Sequence, residues 1–180
     1  QQSGLASNSF VYRDRFKRFS LELPRGYRPA SKPPRLRSSE TVYQFSHREG
    51  PSVVLLFEPG VEDLTKCGAP LETEVKAAVK DLELVSTEPI SKVNGNPAKL
   101  AIYKGAGEYK SATVNMRVEM CALLGSVILK EGAVTFYAVY AQNQKALWEE
   151  AMKESFNSIR NLRDRKADSE TKRERKSKKK

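Results

Sequence analysis

One histidine, His47, and two cysteines, Cys67 and Cys121, are all that 180 residues offer of either type. That scarcity narrows the chemistry before any pattern is read. A zinc site built from these three side chains would need a carboxylate or water as well, and none of the short ligand spacings of a recognisable site is present. A Ser-His-Asp arrangement would use His47 as its base. Ser46 stands beside it, but neighbours along a strand point to opposite faces. His47 therefore reads as a surface residue at a strand end. The cysteines are too few to staple a fold and read as small, buried, unpaired apolar residues. Long hydrophobic runs are missing too: the most apolar stretch, Met120 to Leu129, falls well short of the roughly 20 residues that a membrane-crossing helix needs. No transmembrane span is expected.

What is present is charge, unevenly placed. The chain carries a formal +10. Arg13 to Arg37 holds nine basic and two acidic residues, and Arg163 to Lys180 holds ten basic and four acidic, leaving the remainder at −3. The chain thus reads as a near-neutral body with two basic appendages. The tail "SETKRERKSKKK" has no apolar anchor and is expected to be solvated and disordered. Its cations, Arg163, Arg165, Lys166, Lys172, Arg173, Arg175, Lys176, Lys178, Lys179 and Lys180, are candidate contacts to an anionic polymer or surface. No aromatic platform accompanies them, as single-strand nucleic-acid readers would require. Phe16, Phe19 and Tyr27 do sit among the arginines of the first basic segment.

Hydrophobic periodicity supplies the architecture. "FSLELP" alternates Phe19, Leu21 and Leu23 with polar residues, the mark of a half-buried strand. "TVYQFSH" reads as a second strand and "SVVLLFEP" as a central one covered on both faces. Pro70 opens a helix whose stripe runs through Leu71, Val75, Ala78, Val79 and Leu82. Asn94-Gly95 marks a hairpin turn before the strand "PAKLAIYK". "CALLGSVIL", with Gly125 at a bulge or bend, turns at Lys130-Glu131-Gly132 into "AVTFYAVYA". A last helix starts near Asn143, a candidate N-cap, and packs Trp148, Met152, Phe156 and Ile159 inward.

"YKGAGEYKSAT", Tyr103 to Thr113, raises the question of phosphate binding. A G-x-x-x-x-G-K-[ST] loop must lead into a helix, whose N-terminus faces the phosphates. Here Lys104 and Tyr109 occupy the two glycine positions, and Val114, Met116, Val118 and Met120 alternate as a strand does. Gly105 and Gly107 are expected to be turn glycines. Among the carboxylates, Glu58 at the end of an apolar strand is the one to inspect for catalysis, with a strand-end residue reaching water as its plainer reading.

The fold class is α+β, a predominantly antiparallel sheet flanked by helices. Expected boundaries are a flexible segment over 1–12, one domain over 13–162 and the basic tail over 163–180. The order of elements, with "FSLELPRGY", "VNGNPAKLAIYK" and "SFNSI", resembles the PsbP-like superfamily from about Tyr12 to Leu162. That resemblance implies an α/β/α sandwich and a non-enzymatic assembly factor, scaffold or envelope component; it transfers no site residue and no cofactor. The polar N-terminus reads as a mature end left after leader removal, so export to the periplasm or beyond is expected. The expected partner is another protein or an envelope component, with an anionic polymer bound by the basic segments, or a hydrolase with an unrecognised carboxylate site, as alternatives.

Overall fold

The alternating and apolar segments become two antiparallel sheets in the computed structural model, which describes residues 9–30, 41–88 and 91–162. In chain order the strands are β1 (Ser9–Arg13), β2 (Phe19–Pro24), β3 (Arg28–Pro29), β4 (Thr41–Ser46) and β5 (Val53–Pro59). Helix α1 (Ala69–Ala78) follows, then β6 (Lys80–Thr87), β7 (Lys92–Val93), β8 (Asn96–Lys110), β9 (Asn115–Ile128) and β10 (Gly132–Ala141). Helix α2 (Lys145–Asn157) and β11 (Arg160–Asn161) complete the set. The large sheet runs β3-β4-β5-β10-β9-β8-β6, with β7 hydrogen-bonded to β8; the small one runs β1-β2-β11. The expected α+β antiparallel architecture is what forms.

Each face of the large sheet has its own cover. Phe45, Phe57, Leu100, Leu123 and Phe136 point to one face and meet Phe19, Leu21 and Leu23 of the small sheet together with Met152 and Phe156 of α2. Burying such side chains contributes about 1.5–3 kcal/mol apiece, so this layer dominates stability. Phe19 stacks on Phe57 at 5.8 Å between ring centroids. On the opposite face Val42, Leu56 and Leu71 of α1 pack together, with Val54 and Tyr137 beside them. Strand β5 is interior and covered on both sides, as its unbroken apolar run predicts.

Several local expectations change. Ser9–Arg13 forms β1 on β2, so Ser9–Tyr12, expected to belong to a flexible segment, is strand. Helix α1 begins with Pro70 in its first turn but ends at Ala78. Val79 is already extended, Asp81 adopts φ 52°, and Leu82 belongs to β6, because pairing with β8 overrides a helical stripe that has no cap to end it. Gly105 and Gly107 are not turn residues. Both lie inside β8, paired with Met120 and Val118, and the chain reverses over Ser111–Val114, where Ser111 Oγ accepts the Val114 N–H at 3.0 Å. Gly125 sits in unbroken register between Leu100 and Phe136 with no bulge; a Cβ there would lie 2.5 Å from Phe156. Asn143 falls within a 3-10 turn over Gln142–Gln144, and Gln144 takes the N-cap position. The Asn94-Gly95 turn holds, with φ 48° and 81°, and Asn94 Nδ2 also donates to the Ile159 carbonyl just past α2.

Candidate functional site

Glu58 is the penultimate residue of β5, and its register partner is Ala133 of β10. Instead of reaching water it is 8% exposed. Its Oε1 accepts the backbone N–H of Gly68 at 2.6 Å, at the N-cap of α1. Gly68 has φ 76° and no side-chain cap, so the carboxylate supplies an acceptor and a negative charge where the helix start favours both. Added bulk at Gly68 would lie 3.0 Å from Thr135. Glu58 thus anchors the entry of α1 against the sheet, an arrangement suited to support.

That anchor forms one side of a cavity of about 290 Å³ on the α1 face. Its lining includes Cys67 and Gly68 before the helix, Glu72 within it, Leu84 and Thr87 of β6, and Lys99, Tyr103, Leu124, Ser126 and Thr135 of the sheet. Lys99, Ser126 and Thr135 are successive cross-strand partners, so the pleat sets them in one row. Ser126 Oγ and Thr135 Oγ1 lie 2.8 Å apart, both buried. Burial pushes the Cys67 thiol up to about 11, reinforced by Glu58 and Asp63 and only partly opposed by Lys99. Its Sγ donates to the Asp63 carbonyl, so the thiol stays protonated near neutral pH. This cavity can hold a molecule; its thiol is not an activated nucleophile.

His47 lies elsewhere, against Tyr27 and Trp148 at 5.0 Å. Nδ1 accepts the Glu49 N–H at 3.0 Å, which leaves Nε2 to donate to the Arg25 carbonyl at 3.2 Å. Both ring nitrogens are engaged with backbone, so the imidazole clamps two loops together. Gly26 is required beneath it: a Cβ would lie 2.6 Å from Nε2. Cys67 and Cys121 are free and buried. No group of three His, Cys, Asp or Glu side chains able to hold a metal occurs among the described residues. No helix among them is long and apolar enough to cross a membrane.

A third cluster joins residues that the sequence reading did not bring together. Asp14, buried in the β1–β2 turn, accepts from Arg18 Nε at 2.7 Å and from the hydroxyl of Tyr43. The Arg18 guanidinium lies 3.7 Å from the Phe57 ring centroid. Burial alone would raise the Asp14 pKa, but hydrogen bonds from Arg18 and Tyr43 outweigh it and hold the carboxyl below its usual range. The same turn presents Arg15, Phe16 and Lys17 outward; Phe16 is 58% exposed, with the guanidinium carbons of Arg15 and Arg18 at 4.6 and 4.8 Å from its ring centroid. The proposed polyanion contacts from Arg163 to Lys180 lie outside the described residues.

No protein-family model matches the chain, and no curated protein matches it by sequence. Solved structures do. The solution structure of cyanobacterial PsbP (CyanoP) from Synechocystis sp. PCC 6803 superposes with a TM-score of 0.58 at 11% identity, covering 89% of this chain and 97% of that one. The Ran-binding protein Mog1p from Saccharomyces cerevisiae gives a TM-score of 0.54 at 10% identity, covering 86% and 96%. At such identities the shared property is the path of the backbone through sheet and helices over nearly the whole of each chain, and by that measure the protein has the PsbP-like fold.

Proposed function

We propose that the protein is a non-enzymatic binding or scaffolding protein that engages another protein along the open end of its large sheet. The carrying observation is the edge made by β6 and the far part of the β8–β9 hairpin. β6 is the terminal strand, and Leu84 on it is 58% exposed, with Val85 also exposed. Residues 107–119 of the hairpin extend past the partners of β8 and β9, exposing Val114 and Met116. Ion pairs Lys80–Glu108, Lys104–Glu83 and Arg117–Asp81 surround these apolar groups with both signs of charge, as a polar rim surrounds an interface centre. Register shifts in β6 guard the edge against indiscriminate strand pairing. An edge that is guarded yet apolar suits one extended partner segment.

The likeness to a Ran-binding protein supports a protein partner in kind. An exported or envelope setting is part of this proposal and rests on the family resemblance; fractionation of the source cells, with the protein followed by antibody, tests it. For the edge itself, a photo-crosslinking residue placed at Leu84 or Met116 is expected to give the same discrete adduct in the source cells. Val85→Glu should remove it, and the same probe at Glu150, exposed on α2, should not produce it. Matching adducts at all three positions would refute the edge as the partner site. A second reading has its own support: the Arg15-Phe16-Lys17 turn pairs an exposed ring with cations, the combination that grips anionic polymers.

A further inference from the structure

The row Lys99, Ser126, Thr135 is out of place on the face that carries it. Thr135 is fully buried and Ser126 nearly so, flanked along their strands by Leu124 and Tyr137. Hydroxyls in such a position cost free energy unless each proton finds an acceptor. Their mutual hydrogen bond uses one of the two protons, and the other has no acceptor among the described residues. At the outer end of the row, Lys99 is exposed and makes no salt bridge with a described residue. Both ends of this row border the same cavity, which Leu84, Ala101, Tyr103 and Leu124 wall on the sheet side and Cys67, Gly68 and Glu72 wall at the start of α1.

We infer that this cavity binds a small amphipathic monocarboxylate. The carboxylate lies between the Lys99 ammonium and the unspent hydroxyl proton of the Ser126–Thr135 pair, and the hydrocarbon body lies against Leu124 and Leu84. A volume of about 290 Å³ stands at the small end of the roughly 300–1,000 Å³ typical of such pockets, so the ligand is a short acid. The other charges nearby do not reverse the choice. Glu72 on the helical wall is paired with Lys76 at 3.2 Å, Asp63 accepts from Thr65, and Glu58 is turned to the Gly68 amide. Cys67 contributes a neutral thiol. This site shares Leu84 with the proposed sheet edge, but its carboxylate contacts to Lys99, Ser126 and Thr135 do not depend on whether that edge binds a protein.

The test is an amide NMR titration of the 15N-labelled full chain with 3-phenylpropanoate, hexanoate, 3-phenylpropan-1-ol and 3-phenylpropylamine. The two acids are expected to shift Gly68, Lys99, Ser126 and Thr135 saturably at up to millimolar concentration, with the alcohol and amine much weaker. Lys99→Gln, at an exposed position that leaves the fold intact, should weaken acid binding about tenfold. Ser126→Ala should weaken it about threefold. Shifts confined to other regions, no saturable shift with either acid, equal binding of the amine, or unchanged affinity in Lys99→Gln would each overturn the inference.

Discussion

Asp14 shows how much one side chain organises. It is buried, bonded to Arg18 and Tyr43, and its backbone N–H pairs with the Phe19 carbonyl to close the β1–β2 turn. Replacing it with Asn leaves the half-buried Arg18 without its counter-charge, at an expected cost of about 2–4 kcal/mol near neutral pH. The folded-state pKa lies below the unfolded one. The carboxylate's contribution is therefore complete above the ordinary carboxylate range and lost as pH falls through the folded value. Urea unfolding of wild type and Asp14→Asn should give curves well apart at pH 7 that converge in acid; a constant gap would assign the effect to shape. The Asp14–Arg18 pair is four residues apart and could be suspected from sequence. Tyr43, 29 residues on, could not.

Glycines in strands mark where sequence reading and structure part. A glycine pair beside polar residues reads as a turn because turns are the commonest local use of glycine. In β8 the reason is tertiary: a Cβ at Gly105 would lie 2.5 Å from Val79 and 2.6 Å from the Lys80 carbonyl. Gly105→Ala must push β6 off its partner, with an expected loss of about 1–3 kcal/mol. Gly107→Ala meets the flexible Met120 side chain at 3.3 Å, with the Val118 carbonyl no nearer than 4.0 Å, and should cost well under that. Chemical denaturation of the pair checks the difference; equal losses would contradict the close approach. The strands themselves were legible because period-two alternation is local. The end of α1 was not, since Val79 and Leu82 continue a helical stripe and only the pairing with β8 makes them extended. The cavity was hidden for the same reason: Lys99, Ser126 and Thr135 become neighbours only through strand register.

Over the whole molecule, the basic first segment divides into used and unused charge. Arg18 is consumed by Asp14, whereas Arg15 and Lys17 project beside Phe16. If polyanion binding is a function, affinity for a single-stranded oligonucleotide should fall steeply with salt. Deleting Arg163–Lys180 should then reduce the log–log slope by roughly 0.7 for each phosphate that the tail had neutralised. Phe16→Ala should weaken binding without altering the fold, since that ring is exposed. A slope unmoved by the deletion would remove the tail from the interface. The two-sided body was foreseeable from alternating strands and two helices; the placement of the small sheet beside α2 depended on β1 and β11, which are too short or too exposed to announce themselves.

Cys121 faces α2, while Cys67 lies by α1 on the reverse of the same sheet. A wall of backbone separates the two sulfurs, so no oxidant can join them within one intact molecule. Oxidation of the folded body therefore forms no bridge within the molecule, so carriage between a reducing and an oxidising environment would add no internal crosslink.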